Sequence, residues 1–283
     1  MQKRRSAGGA AAAAGLLLVA TCPSSVLAQG FLSSPPMAPY EESFTIDLGG
    51  IVNRFDSSVR VDGQGNRGTQ IDLESNGLDR NLSSFQGAFT WRFARRHRLD
   101  AEYYEADRSG SRSYSTTINI GDQTFPLGAT VGVDSNTRFA NVSYRYSFVQ
   151  QPEFEAAVLL GFYGGKVTYD IDAVGSSGGV QRTYHVTRST SIPLPMLGAS
   201  FDWYPSRYWR VSGKLQGSAA TGDEVDGSAF LASASLEYLM SRNFGVGVRY
   251  SYADVEVDVS KSSFLGNVNW TSNSVSLYGK FMF

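Results

Sequence analysis

Two histidines and a single cysteine are all that 283 residues contain of either type. Catalysis by paired imidazoles and His-rich metal centres are thereby excluded, because each needs several such side chains brought together. Charge of either sign is not in surplus, with Lys+Arg 25 against Asp+Glu 26. Neither the basic footprint of a nucleic-acid binder nor an acidic tail is present. Apart from the first twenty-odd positions, no apolar run approaches the ~20 residues that a spanning helix needs. Yet charged residues make up only 18%, where soluble domains carry about 25%. What is plentiful is Gly 30, Tyr 15 and Phe 17, a composition that suits strands.

The one apolar run comes after Lys3, Arg4 and Arg5, covers residues 10–20, and leads to Val26, Leu27 and Ala28, small residues of the kind a signal peptidase reads. Residues 1–28 therefore read as an export signal cleaved after Ala28. The run is too short to cross ~30 Å of hydrocarbon, and Pro23 interrupts it. Cys22, between Thr21 and Pro23, offers lipidation as the alternative fate. With cleavage at Ala28 the mature chain has no cysteine, and disulfide or thiolate chemistry is excluded. Residues 29–42, with Pro35, Pro36 and Pro39, read as a flexible lead-in, and 43–283 as one domain.

From Phe44 onward the dominant period is two, the repeat of a strand with one apolar face. Phe85, Gly87, Phe89, Trp91 and Phe93 alternate with polar or small residues, as do Phe244, Val246, Val248, Tyr250 and Tyr252. The pattern predicts ten strands at 43–55, 82–94, 98–108, 136–148, 153–170, 190–204, 207–219, 228–240, 243–259 and 268–283. Tight turns join them at 95–98, 150–153, 205–208 and 241–243. Longer loops rich in Gly, Ser, Asp and Asn fill 56–81, 109–135, 171–189, 220–227 and 260–267. Such a rhythm of short turns and long loops is that of a closed antiparallel transmembrane β-barrel. Aromatic residues cluster beside the short turns, where an interfacial girdle belongs. Residues 67–74 and 114–120 each look like a short strand, which makes twelve the main rival count; both read as hairpins beyond the membrane, so the count is ten, with eight to twelve as its bounds.

The final strand places Val275, Leu277, Gly279, Phe281 and Phe283 on one face and stops on an aromatic carboxy-terminus. In this it resembles the outer-membrane β-barrel proteins of Gram-negative bacteria. That resemblance implies Phe281 and Phe283 as the assembly signal, the barrel-assembly machinery, outer-membrane lipid and lipopolysaccharide as partners, integral outer-membrane location with both termini in the periplasm, and a monomer. Tyr278 occupies a position where that family often has glycine.

Opposite the lipid face lie Arg92, Arg145, Arg210, Lys214, Arg249 and Lys280 with Asp47, Asp100, Glu102, Glu155, Asp202 and Glu237. A small barrel fills its interior with side chains, so these charges read either as a salt-bridged core or as the lining of a narrow pore. The corresponding functions are a structural or surface-interaction role through the extracellular loops, or a porin-like channel for ions and small solutes. An outer-membrane hydrolase is the minor alternative, resting on Asp170 and Asp172 at one strand end and His185 in the next loop; His97 falls in a basic turn that meets headgroups or water. The chain is read as a non-enzyme without cofactor. Gly63-Gln64-Gly65-Asn66-Arg67-Gly68 has dinucleotide-fingerprint spacing but no βαβ context, and the sequons at Asn81 and Asn141 are chance matches. Finally, apolar residues shift from even positions to Val255, Val257 and Val259, by a bulge or by exit from the membrane. Beyond that point Asp254, Glu256 and Asp258, with Asp223, Glu224 and Asp226 of the neighbouring loop, could converge on weakly bound calcium.

Overall fold

The computed structural model describes residues 36 and 41–283, apart from 64, 66, 76, 121–122, 126–127, 178–179, 221–224 and 262–263. The signal and nearly all of the lead-in lie outside the described residues. Among the described residues there are thirteen strands: β1 (Phe44–Val61), β2 (Ile71–Asp72), β3 (Asn81–Ala94), β4 (His97–Ser113), β5 (Ile118–Ile120), β6 (Gln123–Phe125), β7 (Thr130–Gln151), β8 (Phe154–Ser177), β9 (Val180–Ser206), β10 (Trp209–Ala220), β11 (Val225–Leu239), β12 (Phe244–Lys261) and β13 (Phe264–Met282). Ten of them form a ring in the order β13-β12-β11-β10-β9-β8-β7-β4-β3-β1. β1 pairs with β3 on one edge and with β13 on the other, from Thr45↔Met282 to Val61↔Gly266, so the sheet closes on itself. β2 adds a short pairing to β1, and β5 with β6 makes a separate hairpin. These are the stretches that read as hairpins beyond the membrane.

The exterior carries an apolar band confined to the turn end of the barrel. Phe44, Leu48 and Val52 on β1, Val158, Leu160 and Phe162 on β8, Val275 and Leu277 on β13, and Phe283 just after it stand outward and exposed. In each strand the band covers about the 9–11 residues that cross a bilayer as a tilted strand. Leu265, near the opposite tips, is the exception. The chain is a closed transmembrane barrel: within the band each strand is paired on both sides and no strand edge is left open, as lipid requires.

Past the band both faces change character. On β12 the outward positions run Val246, Val248, Tyr250, then Asp254, Glu256, Asp258, all exposed save Tyr252 between them. The inward positions run Arg249, Ser251, then Ala253, Val255, Val257 and Val259, the last three at most 1% exposed. Ladders with β11 and β13 pass through this point without a register shift. Of the two explanations for the changed alternation, exit from the membrane holds and a bulge does not. Register shifts occur instead at the turn end, at Arg92/Ala94, Ser147/Val149 and Trp209/Val211.

Most of the stretches read as loops are strand. β7 begins at Thr130, β8 runs to Ser177 and β9 starts at Val180. They alternate with the opposite sense, burying Val131, Val133, Ile171 and Ala173 inside and exposing Asp134 and Asp172, so Gly, Ser and Asp on the wet outer face disguised them. β9 spans 27 residues beside a β10 of 12. The β9–β10 ladder ends at Leu197↔Gly217. The next positions of that parity are Pro195 and Pro193, which have no amide proton to give. Farther out, among the described residues, β9 pairs only with β8, and Leu194 instead packs near Gly227 of β11, where a Cβ would lie 3.4 Å from Leu194 Cδ2.

Val248→Arg, within the band, should therefore destabilise the barrel in lipid vesicles by about 2–4 kcal/mol. Glu256→Arg, on the same face of the same strand but beyond it, should change urea stability by less than about 0.5 kcal/mol. Equal losses would contradict the position of the band edge.

Candidate functional site

Because side chains alternate, each strand that presents apolar groups to lipid must present its other set to the lumen, and within the band that set is charged. Each of the ten strands contributes to it. Glu155 of β8 accepts from Arg98 and from Ser147, and Arg92 lies 3.4 Å away. Asp202 of β9 takes Arg98 at 3.3 Å, Arg145 at 3.2 Å and Arg210 at 2.8 Å. Arg145 also reaches Asp100 at 2.9 Å. Arg210 leads to Glu237 at 3.5 Å, Glu237 to Lys280 at 3.4 Å, and Lys280 to Asp47 at 2.9 Å. Asp47 continues to Arg249 at 3.1 Å, and Glu102 binds Arg249 at 3.8 Å and Lys214 at 2.8 Å. The chain of ion pairs is unbroken from Glu155 to Lys214.

Two cavities, of about 70 Å³ and about 80 Å³, lie on either side of Glu102, Lys214 and Arg249, which line both. The first is walled by the charges. The second is bounded by Gln86, Asn141, Tyr104, Phe139 and Tyr163, polar enough on one side to hold water. Asn141 donates to Gln216 at 2.7 Å, and Gln216 to Ser143 at 2.9 Å. Above it the lumen becomes an apolar core. Phe139 packs on Tyr104 at 4.7 Å and on Trp270 at 5.6 Å between ring centroids, and Val167, Leu194, Met196 and Val255 are buried around them. Burial pushes the Tyr169 phenol in this outer part up to about 12, so it stays a neutral donor. Near the tips Arg108 binds Glu74 at 2.7 Å and Ser57 at 2.9 Å, fastening the segment after β2 over the core.

The lumenal residues expected from the sequence, Arg92, Asp100, Glu102, Arg145, Glu155, Lys214, Glu237 and Arg249, thus stand in one network. Arg98 reads from the sequence as the end of a tight turn, yet it is 2% exposed and at the network's centre. Its parity matches Asp100 and Glu102, the signal that would have found it. Tyr278 also points inward, its hydroxyl donating to Glu237 at 2.7 Å with Arg249 over its ring at 4.8 Å. Glycine sits across from it on both neighbours: a Cβ at Gly247 would fall 2.6 Å from the ring, and one at Gly49 2.7 Å from Tyr278 Cβ.

Of the six carboxylates that the sequence brings toward one rim, four lie among the described residues. Asp223 and Glu224 lie outside the described residues, and among the described residues no three metal-ligating side chains come together. Asp254, Glu256 and Asp258 succeed one another along a single face of β12, where alternate residues are ~6.8 Å apart. Thr271 donates to Asp254 at 3.1 Å, Asn267 donates to Asp258 at 3.0 Å, and Asp226 stands opposite Asp258 in the ladder. His185 lies on strand β9 rather than in a loop and meets Asp172 at 2.6 Å, while Thr187 donates to Asp170 at 2.5 Å. Both pairs stand open on the outer wall. Phe281 packs on Phe244 at 5.4 Å, and Phe283 exchanges backbone hydrogen bonds with Phe44. Asp202→Asn leaves three guanidinium groups short of their shared carboxylate and should cost about 3–5 kcal/mol of urea stability. Lys214→Met, at the network's end beside the partly exposed Glu102, should cost clearly less; the reverse order would contradict the connectivity.

No protein-family model matches the chain, and no curated protein matches it. Solved structures similar to it in fold include the attachment invasion locus protein Ail of Yersinia pestis, at 13% identity over 86% of this chain and 99% of that one, with a TM-score of 0.29. The outer membrane protein OprG from Pseudomonas aeruginosa shows 12% identity over 86% and 97%, with a TM-score of 0.33. The translocator domain of autotransporter NalP from Neisseria meningitidis shows 10% over 87% and 91%, with a TM-score of 0.37. At such identities and scores the reading rests on the chain's own closed wall and apolar band, which are those of a barrel of the outer-membrane kind.

Proposed function

We propose that the protein is an integral outer-membrane barrel that acts as a stable platform, with its turn end toward the periplasm and its far half displayed outside the cell for surface interaction. The observation that carries this reading is the filled lumen, closed by connected ion pairs within the band and by an apolar core beyond it. A barrel built to pass solutes would leave a continuous wet path. The far half supports the same reading, since it buries its own core and needs no lipid. On it, β9 beyond Leu197 offers a strand edge, the kind of surface to which an extended segment can add. We read lipopolysaccharide as the lipid neighbour and the barrel-assembly machinery as the route of insertion, with Phe281 and Phe283 in the signal and no enzymatic role.

The channel reading keeps one observation in its favour, the two cavities that meet at Glu102, Lys214 and Arg249. Single-channel recording decides between them: the refolded protein should show no steady conductance above the bare bilayer, and a large, lasting conductance would overturn the platform. For orientation, Asp172→Cys should react with a membrane-impermeant maleimide in intact cells and Arg207→Cys should not.

A further inference from the structure

The turn end carries arginines that the lumenal network does not use. Arg95 and Arg96 in the β3–β4 turn, Arg207 in the β9–β10 turn and Arg242 in the β11–β12 turn are all exposed. Interior arginines are committed to carboxylates, as Arg98 is to Asp202; these four form no ion pair among the described residues. The first turn is also held in place from behind. The Arg95 carbonyl accepts from Arg92 at 2.9 Å and from Gln150 at 2.8 Å, and the Arg96 carbonyl accepts from the Ser147 amide at 2.9 Å. With its backbone fixed, the doublet can aim two guanidinium groups outward at little conformational cost.

Each basic turn adjoins exposed aromatic rings of the apolar band. Trp91, Phe93 and Tyr144 flank Arg95 and Arg96, with His97 bonded to the Tyr144 hydroxyl at 2.5 Å. Tyr208 and Trp209 come directly after Arg207, and Tyr238 precedes Arg242. Round the ring Glu153 of the β7–β8 turn lies between the Arg95–Arg96 turn and the Arg207 turn, and Glu41 lies between the Arg242 turn and the Arg95–Arg96 turn, while Arg207 and Arg242 stand on neighbouring turns. A protein partner would need one contiguous patch, whereas these turns are distributed round the rim at the level where the band ends. A lipid leaflet is the partner that meets such a rim all at once.

We propose that this rim binds anionic phospholipid headgroups of the leaflet on the turn side, with guanidinium groups on phosphate and the Arg95–Arg96 doublet as the strongest site. Such binding is independent of the role of the far half, since it involves only the turn end.

The test is quenching of tryptophan fluorescence by brominated lipid in vesicles that mix phosphatidylglycerol with phosphatidylcholine. Trp91, Trp203 and Trp209 are exposed on the band, at 40%, 48% and 41%, while Trp270 is buried at 6%, so the signal reports the rim. Brominated phosphatidylglycerol should bind about fivefold better than brominated phosphatidylcholine, the ratio that one basic side chain at an anionic surface supplies. The preference should fall as sodium chloride is raised toward ~0.5 M. Arg95→Gln with Arg96→Gln should remove most of it, the further changes Arg207→Gln and Arg242→Gln the remainder, and Arg95→Lys with Arg96→Lys should retain it. A ratio near one in the wild-type protein would overturn the proposal, and so would a preference that survives all four substitutions.

Discussion

The rest of the structure depends on one pairing, the ladder between β1 and β13. In hydrocarbon an unpaired strand edge leaves a row of amides and carbonyls with nothing to bond, and only a closed ring removes it. Phe283 and Phe44 exchange the last backbone bonds of that seam. Closure then dictates the chemistry of both faces of the wall. Alternation sends every second side chain to lipid and the others into a lumen too narrow to leave empty, and the two sets must satisfy different surroundings.

Within the band the inward set is charged, and charge there is stable only when paired. The network accomplishes this by sharing: Asp202 serves three arginines, and Glu237 serves Arg210, Lys280 and Tyr278. Beyond the band the same strands enter water on their outer face, and the inward set becomes valine, isoleucine and aromatic residues. One wall therefore has two cores, polar where the outside is apolar and apolar where the outside is polar. Among the described residues the ion pairs occupy the lumen within the band and the apolar core occupies it beyond.

Much of this was legible in the alternation. Ten strands, the tight turns and the inward parity of Arg92, Asp100 and Glu237 follow from period two alone. The outer halves of β7, β8 and β9 were hidden because the sense of the alternation inverts when the outside becomes water, and an exposed Asp172 or Asp134 with small and polar residues nearby looks like a loop. Arg98 was hidden by its neighbours Arg95 and Arg96, which made a basic turn of it, although one step along the strand reverses the side to which a residue points. The common face of Asp254, Glu256 and Asp258 was legible from the same parity, and the structure places all three exposed along it. The long edge of β9 was announced only by Pro193 and Pro195.

The central claim is that the environment of the wall reverses between Tyr252 and Asp254 while the strand continues unbroken. A nitroxide scan along β12 in vesicles, at positions 246, 248, 250, 254, 256 and 258, measures this most directly through relative accessibility to oxygen and to a water-soluble nickel chelate. The account predicts oxygen-dominated collisions at the first three positions and chelate-dominated collisions at the last three, with immobilised labels at the odd positions 255 and 257. Oxygen dominance through 258, or mobile labels at 255 and 257, would contradict it.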